Sequence, residues 1–296
     1  MYLLRRFSRL MLILTLAAFA LFIFKNRSGV DTRGPVIHAD GTLMEVRVKD
    51  GEEILLEGVS ARDSSDGDVT DSVEVENIST FYGDKKRLVT YVAFDSDRHV
   101  ARATRELRYT DYESPKFNLT EPLQYLPGKV NLKISALDCL DGDITSAIKL
   151  VVEDPITTDQ PGKYKATFQV ANSAGDVSSL PVTIEILDIT EQAGVSIQLS
   201  RYLDYVPLGG QFDPYAYLDS VKINNREYRV VRGQGNFNNE TIGRNEEIVI
   251  GTDMITVNGN VDMTQAGTYP IEYSITIDKG HTDVITSHTT LYVVVR

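Results

Sequence analysis

The sequence contains a single cysteine and no tryptophan among its 296 residues. One cysteine excludes an intramolecular disulfide, so each folded domain has to be stabilised by its packed core alone. A secreted animal immunoglobulin domain usually carries an inter-sheet cysteine pair and a core tryptophan, and this chain lacks both. These absences point to a bacterial surface protein.

Basic charge and catalytic motifs are also scarce. Lys and Arg total 30 against 42 Asp and Glu, which gives a net charge of -12. Such a balance argues against nucleic acid as a partner, because phosphate contacts need a basic surface. The four histidines form no H-E-x-x-H motif, and no G-x-S-x-G, P-loop or G-x-G-x-x-G pattern is present. His281 and His288 lie in a predicted terminal hairpin, and we expect both at the surface. We therefore predict that the chain is not an enzyme.

An unbroken apolar run occupies residues 10–24 and follows a segment that contains Arg5, Arg6 and Arg9. A helix over this run alone would span about 22 Å, short of the ~30 Å hydrocarbon core, although the flanking residues extend it. The basic segment favours a cytoplasmic N-terminus and an extracytoplasmic remainder. We predict a cytoplasmic segment at residues 1–9, a single-pass signal anchor at 10–25 and a linker at 26–34. Secretion after cleavage at Ala18-Phe19-Ala20 is the alternative.

One motif occurs twice in the chain. The pattern A-x-D-x-x-D-G-D-[VI]-T is found at residues 61–70 and again at 136–145, an offset of 75 residues. This period is too long for a solenoid repeat and suits a small β-sandwich module. Apolar stretches around both copies predict strands upstream at 53–56 and 130–134, downstream at 73–75 and 148–152, and at the module ends at 103–109 and 182–187.

Period-two alternation marks the longest strand of each module. Such alternation is typical of a strand with one buried face. The predicted inward residues are Val89, Tyr91 and Ala93, then Tyr164, Ala166, Phe168 and Val170, and finally Tyr269, Ile271, Tyr273, Ile275 and Ile277. The third copy lacks the D-G-D element and contains a polar stretch at 233–245. We predict an all-β fold of three tandem Ig-like sandwich modules, at residues 35–111, 112–189 and 195–296, behind one transmembrane helix. Short joints at 111–115 and 188–194 separate the modules.

The repeated acidic motif, the G-x-Y strand entry and the Asn172-Ser173-Ala174-Gly175 turn together resemble the bacterial Ig-like domains of surface and pesticidal-crystal-type proteins, which are similar in style to HYR and cadherin-like modules. The resemblance covers residues 34–188 well and 195–296 in part. It implies seven-stranded sandwiches that serve as spacers or adhesion modules without catalysis. The first module departs from the pattern, because Lys85-Lys86-Arg87 stands where the family has Gly-x-Tyr, and we expect an irregular strand entry there.

The repeated motif concentrates carboxylates in one turn. Calcium prefers several oxygen ligands from a flexible loop, which makes Ca²⁺ a candidate cofactor. The competing interpretation is structural, because Asp-Gly forms tight turns and Asp side chains accept hydrogen bonds from nearby backbone N–H groups. The candidate calcium ligands are Asp63, Asp66 and Asp68 in the first copy and Asp138, Asp141 and Asp143 in the second.

The third module is rich in tyrosine. Exposed tyrosines stack on sugars or form protein-binding patches, whereas buried ones fill small β cores. The candidate binding residues are Tyr202, Tyr205, Tyr215 and Tyr217. We predict a membrane-anchored cell-surface scaffold whose first two modules form a stalk and whose third module binds a protein or a cell-wall glycan. The alternatives are a calcium-rigidified, cadherin-like adhesion rod and an envelope-biogenesis regulator or cryptic hydrolase.

Overall fold

The computed structural model describes residues 2–27, 33–153, 155–188, 194–237, 248–278 and 284–296, with side chains for residues 6–23 of the helix. The chain divides into two compact units, Met1–Tyr112 and Glu113–Arg296. One helix is followed by strands, and the predicted all-β fold of sandwich domains behind a single N-terminal helix is confirmed. Parts of the predicted linker at 26–34, of the joint at 188–194 and of the polar stretch at 233–245 lie outside the described residues, as does His281.

Helix α1 (Tyr2–Arg27) has 26 residues and is longer than the apolar run that predicted it. At 1.5 Å per residue it spans about 39 Å, which exceeds the ~30 Å hydrocarbon core. The extra length comes from residues 2–9, which continue the helix through the arginines, and from residues 25–27 at its other end. Its Arg6–Ile23 segment has a mean hydropathy of 1.8 and is long and apolar enough to cross a membrane, a property that signal sequences share.

The first sandwich is built from seven strands in two sheets. The strands are β1 (Val36–Ala39), β2 (Leu43–Val46), β3 (Val59–Asp63), β4 (Gly67–Asp68), β5 (Glu74–Ile78), β6 (Lys86–Phe94) and β7 (Val100–Tyr109). One sheet has the order β1-β3-β4 and the other β2-β7-β6-β5, in which β2 runs parallel to β7. Val89, Tyr91 and Ala93 are fully buried, which confirms the predicted inward residues, and Val92 on the opposite face of the strand is buried as well.

The predicted upstream strand at 53–56 is wrong. Residues Glu52–Leu56 form a 3-10 helix, with the N–H of Glu57 donating to the carbonyl of Ile54. A short apolar run without alternation does not distinguish a strand from a helical turn. Here Leu55 enters the core, and its carbonyl accepts a 2.7 Å hydrogen bond from the hydroxyl of Tyr91. The strand before the acidic motif is β3 instead.

Strand β6 has the irregular entry that its sequence predicts. Asp84 and Lys85 take positive φ angles of 49° and 53°, and an isolated bridge joins Tyr82 to Lys86 where the strand begins. Positive φ is uncommon outside glycine and is typical of tight turns. The Lys85-Lys86-Arg87 segment thus enters β6 from a left-handed turn.

The second sandwich repeats the first strand for strand. Its strands are β8 (Lys116–Leu119), β9 (Gln124–Tyr125), β10 (Ile134–Asp138), β11 (Gly142–Asp143), β12 (Lys149–Val152), β13 (Gly162–Ala171) and β14 (Val177–Ile186). The sheet orders β8-β10-β11 and β9-β14-β13-β12 match those of the first sandwich. Ala166, Phe168 and Val170 are buried as predicted, while β10 starts at Ile134 rather than at residue 130.

The third sandwich has two four-stranded sheets. Its strands are β15 (Val195–Leu199), β16 (Leu203–Val206), β17 (Leu218–Ile223), β18 (Arg226–Val231), β19 (Ile250–Gly251), β20 (Ile255–Asn258), β21 (Gly267–Asp278) and β22 (Val284–Val295). The sheet β16-β22-β21-β20 corresponds to β9-β14-β13-β12, and the other sheet, β15-β17-β18-β19, differs from its counterparts. Ile271, Tyr273, Ile275 and Ile277 are buried in agreement with the predicted alternation.

Most of the buried hydrophobic residues of Glu113–Arg296 form one hydrophobic cluster that includes both of its sandwiches. Phe117 and Phe168 from the second sandwich belong to it, as do Tyr202 and Tyr273 from the third. The predicted arrangement treated these sandwiches as separate modules on a short joint. The shared cluster makes them parts of one compact unit, and the module boundaries themselves remain predictions.

Candidate functional site

The two acidic motifs form the same turn, bond for bond. In the first, Oδ1 of Asp63 accepts the backbone N–H groups of Ser65 and Asp66 at 2.7 and 3.0 Å. In the second, Oδ1 of Asp138 accepts those of Leu140 and Asp141 at 2.9 and 3.0 Å. The first carboxylate of each motif therefore holds the turn closed, as expected for Asp in tight turns.

The middle aspartate of each motif ties its turn to a second loop. The carboxylate of Asp66 accepts both the N–H and the hydroxyl of Ser96, at 2.7 and 2.9 Å. The carboxylate of Asp141 does the same with Ser173, at 2.5 and 2.7 Å. The loops that carry these serines precede β7 and β14, so the motif fastens equivalent loops in the two sandwiches.

The last aspartate caps the threonine that ends the motif. Asp68 accepts the N–H of Thr70 at 3.0 Å, and Asp143 accepts that of Thr145 at 2.9 Å. Hydrogen bonds from these threonines hold the pKa of both carboxyls below its usual value. Gly67 provides the left-handed backbone of the turn, with φ of 81°.

These contacts support the structural interpretation of the motif. Within the described parts of the chain, no group of three or more His, Cys, Asp or Glu side chains is arranged to hold a metal ion. Calcium at Asp63, Asp66, Asp68, Asp138, Asp141 and Asp143 remains a prediction.

One contact distinguishes the two turns. In the second sandwich, Nδ2 of Asn172 donates to Oδ2 of Asp138 at 3.1 Å. In the first, Oδ2 of Asp63 is buried and no donor among the described residues reaches it. The loop position that corresponds to Asn172 is Asp95, which precedes Ser96 as Asn172 precedes Ser173. Asp95 is buried and binds His99, with 2.7 Å between its Oδ2 and the imidazole Nδ1.

The four candidate binding tyrosines have different environments. Tyr202 is buried, and its hydroxyl accepts the N–H of Leu199 at 3.3 Å. Tyr205 accepts the N–H of Phe117 at 2.8 Å, and Tyr217 donates to Asp204 at 2.6 Å. Burial raises the pKa of all three phenols. Tyr215 is the exposed member of the set, so the four residues do not form one exposed patch.

The second and third sandwiches meet through the outward faces of their four-stranded sheets. The hydroxyl of Tyr292 in β22 accepts the N–H of Thr183 in β14 at 2.8 Å and donates to its carbonyl at 3.0 Å. The guanidinium of Arg296 lies 4.5 Å from the ring centre of Tyr205 and donates to the carbonyl of Ser114 at 3.2 Å. Side chains of the third sandwich therefore bind the backbone of the second.

An ion pair adds to this contact. Nε2 of His288 lies 2.7 Å from Oε2 of Glu185, which also accepts Nε2 of Gln124 at 2.8 Å. Burial would raise the pKa of Glu185, but the hydrogen bonds from His288 and Gln124 leave it lowered. The hydrogen bond to Glu185 raises the pKa of His288 despite burial. Our expectation that His288 lies at the surface is wrong, because only 21% of its side chain is exposed.

Two adjoining cavities of about 370 and 190 Å³ lie along the same contact and share Thr183, Pro270 and Tyr292. Outward residues of the second sandwich, including Val151, Lys165 and Thr167, line the larger cavity. Lys163, Glu185 and Glu272 line the smaller one. Together the cavities form a groove, which we call the inter-sandwich groove. Its mixture of hydroxyls, charges and one aromatic ring suits a polar, extended ligand.

The sequence contained one signal for this contact. Residues 291–293 in β22 are all buried, although a half-exposed strand should alternate. Leu291 and Val293 face the core of the third sandwich, and Tyr292 faces the second. A strand that is apolar on both faces indicates a sheet that is covered on both sides.

No protein-family profile matches the chain. An uncharacterized 81.3 kDa protein of Acholeplasma phage L2 is 27% identical over 154 residues, which cover 52% of this chain and 19% of the relative. The chain thus spans about a fifth of the length of this curated relative.

The solved structures that the chain matches have low similarity to it. The CBM51-2 and INT domains of Clostridium perfringens ZmpB, in complex with GlcNAc, match at a TM-score of 0.22 and 18% identity, covering 49% of this chain and 26% of that one. The protocadherin gammaB7 EC3-6 cis-dimer matches at 0.20 and 11% identity, covering 89% and 74%. These values assign the chain to no family.

Proposed function

We propose that the chain is a non-catalytic, membrane-anchored bacterial cell-surface scaffold that presents residues 113–296 as a binding head for a protein or a cell-wall glycan. The observation that carries the proposal is the contact between the second and third sandwiches, in which Tyr292 binds Thr183 and His288 binds Glu185. Rigid presentation lowers the conformational entropy that a binding surface loses when a partner docks. The stalk then consists of the first sandwich, and the second belongs to the head.

Helix α1 supports the anchor. Its segment Arg6–Ile23 has the length and hydropathy of a membrane span, and arginines near its start favour a cytoplasmic N-terminus. The proposed localisation is a bacterial cell membrane, crossed once, with the sandwiches outside. Secretion after signal cleavage is the alternative, and the mass of the mature protein separates the two outcomes.

The inter-sandwich groove is the proposed binding surface. Lys165 and Thr167 on β13 line it, and Tyr292 and Pro270 from the third sandwich line its other side. Hydroxyl and charged groups beside an aromatic ring suit the polar edges and apolar faces of a sugar chain or an extended peptide. Tyr215, at a separate exposed position, is a second candidate contact.

Co-sedimentation with isolated cell wall tests this function. Full-length protein reconstituted in lipid vesicles should sediment with the cell wall or with a pulled-down envelope protein. Lys165→Glu reverses a charge in the groove and should weaken binding at least tenfold. Lys222→Glu makes the same change on an exposed position of β17 and should leave binding unchanged. No binding to any envelope component, or equal binding by both variants, would contradict the proposed function.

A second candidate is hydrolysis of an envelope polymer. The observation that favours it is the His288–Glu185 pair beside a cavity of about 190 Å³. Against it, the pKa of Glu185 is lowered, and a carboxyl that acts as a general acid needs a raised pKa. Release of soluble fragments from cell wall by the wild type, and none by His288→Gln, would establish the hydrolase instead.

A further inference from the structure

We propose that the first sandwich binds one hard divalent cation between Asp63 and Asp95, and that the second sandwich does not bind one because Asn172 occupies the equivalent position. This site differs from the sequence prediction, which used all three aspartates of each motif. It does not depend on the proposed function, since a scaffold without this cation would still present its head.

The two acidic turns are equivalent, and so are the loops that they bind. Asp66 and Asp141 each bind the N–H and hydroxyl of one serine, Ser96 or Ser173. The residue before that serine caps its own loop in both sandwiches. Oδ1 of Asp95 accepts the N–H of His99 at 2.7 Å, and Oδ1 of Asn172 accepts that of Asp176 at 2.9 Å. Asp95 therefore stands where Asn172 stands.

The two turns differ at one buried carboxylate oxygen, Oδ2 of the first aspartate. Oδ2 of Asp138 receives the amide of Asn172, and Oδ2 of Asp63 has no donor among the described residues although Asp63 is only 3% exposed. A buried carboxylate oxygen without a partner destabilises the fold, because it has lost its hydrogen bonds to water and no protein donor replaces them. A carboxylate at position 95 makes the deficit larger, because it adds a second negative charge.

The carboxylates of Asp63 and Asp95 both need a positively charged or hydrogen-bonding partner. The carboxylate of Asp95 accepts the N–H of His99 at 2.7 Å, and its other oxygen lies 2.7 Å from the imidazole Nδ1 of His99. A cation satisfies both groups, and oxygen donors in a loop favour the hard ions Ca²⁺ and Mg²⁺. Asp63 and its turn neighbours Ser64, Ser65 and Asp66 line an open cavity of about 520 Å³, so water reaches the outer side of this turn. Arg62 lines it as well and should weaken the binding.

Calorimetric titration of the full-length protein in detergent micelles, with Ca²⁺ and then Mg²⁺ in buffered KCl, tests the site. The wild type should bind one ion, with an affinity of about 0.1–1 mM as in extracellular modules. Asp95→Asn should bind none and should be more stable than the wild type without metal, because its amide reaches Asp63. Asn172→Asp recreates the pair of aspartates in the second sandwich, so this variant should bind two ions, one in each sandwich.

Asp71→Asn is the matched control, because it removes an exposed negative charge beside the same turn and should still bind one ion. Arg62→Gln should bind one ion more tightly. Binding of no ion by the wild type, or of one ion by Asp95→Asn, overturns the proposal. An Asn172→Asp variant that binds only one ion overturns the claim that this position decides occupancy. If calorimetry detects no heat of metal binding and the stability of the protein depends on pH, Asp63 and Asp95 share a proton instead, which also overturns the proposal.

Discussion

The hydroxyl of Tyr292 makes two hydrogen bonds to the backbone of a single residue, Thr183, accepting its N–H at 2.8 Å and donating to its carbonyl at 3.0 Å. The two residues are 109 positions apart and lie in different sandwiches of the same compact unit. Because one side chain satisfies both backbone groups of a strand residue, it fixes where β22 lies along β14. The head therefore has one preferred arrangement of its two sandwiches.

Replacing Tyr292 by Phe should lower the free energy of unfolding of the head by about 1–3 kcal/mol, because the N–H and carbonyl of Thr183 lose their shared partner. Urea denaturation of the full-length protein measures the loss. Tyr269→Phe is the control, since its hydroxyl bonds an exposed carbonyl only four residues away, that of Gln265. Its effect should stay within about 0.5 kcal/mol. Equal losses in both variants would show that Tyr292 does not hold the sandwiches together.

The His288–Glu185 pair should make this contact depend on pH. The folded pKa of His288 is raised above 6.5, so its contribution is complete below pH 6.5 and is lost as the pH rises through the folded value. The pKa of Glu185 is lowered from 4.5, so its contribution is present above pH 4.5 and is lost as the pH falls through its folded value. Two nearby charges also act on the pKa of His288: Glu272 raises it and Lys163 lowers it.

The stability difference between the wild type and His288→Gln should therefore be largest between pH 4.5 and 6.5. It should amount to about 1–2 kcal/mol there and shrink as the pH rises through the raised pKa of His288, because the imidazole loses its charge. Melting temperatures of both proteins across this range provide the measurement. A difference that grows toward alkaline pH would contradict the assignment of the pair.

Gly67 and Gly142 should be equally sensitive to substitution. Both take positive φ, 81° and 73°, and nothing lies within 4 Å of an added Cβ. An alanine at either position meets only the left-handed backbone penalty, about 1–2 kcal/mol. Gly51→Ala is the control, because its φ is -69° and the space around it is open, so its stability should hardly change. Unequal losses at Gly67 and Gly142 would mean that the two turns are not equivalent.

A charge in the middle of α1 should prevent membrane retention. Leu14→Arg places a guanidinium near the centre of the Arg6–Ile23 segment, at a cost of about 2.5–3.5 kcal/mol on insertion scales. The variant should move from the alkali-resistant membrane fraction to the soluble fraction. Leu14→Ala should stay in the membrane. Recovery of wild-type protein whose mass lacks the helix would identify a cleaved signal instead of an anchor.

Local periodicity made much of the fold predictable. Alternation at Val89, Tyr91 and Ala93 identified an inward face, and the duplicated motif identified two equivalent turns. Both signals depend on residues that lie close together in the sequence. The 53–56 segment was assigned incorrectly because its three consecutive apolar residues show no period, and only the core beneath Leu55 decides the conformation.

The long-range contacts were not predictable in the same way. Nothing near Asp66 in the sequence indicates that Ser96 is its partner, 30 residues later. His288 was expected at the surface because the predicted hairpin was considered without its neighbour. Its burial follows from the contact of two sheet faces that no single strand pattern encodes. The candidate site therefore needed the tertiary structure, whereas the sandwiches did not.

A rigid binding head requires the second and third sandwiches to move as one body. Electron–electron resonance distances between spin labels at Lys149→Cys and Lys222→Cys, in a Cys139→Ser background, measure this property. Both lysines are exposed, and they lie on different sandwiches of the head. If the contact between the two sandwiches is fixed, the full-length protein should give a single narrow distance distribution. A broad distribution, as for two domains on a free hinge, would contradict a fixed contact.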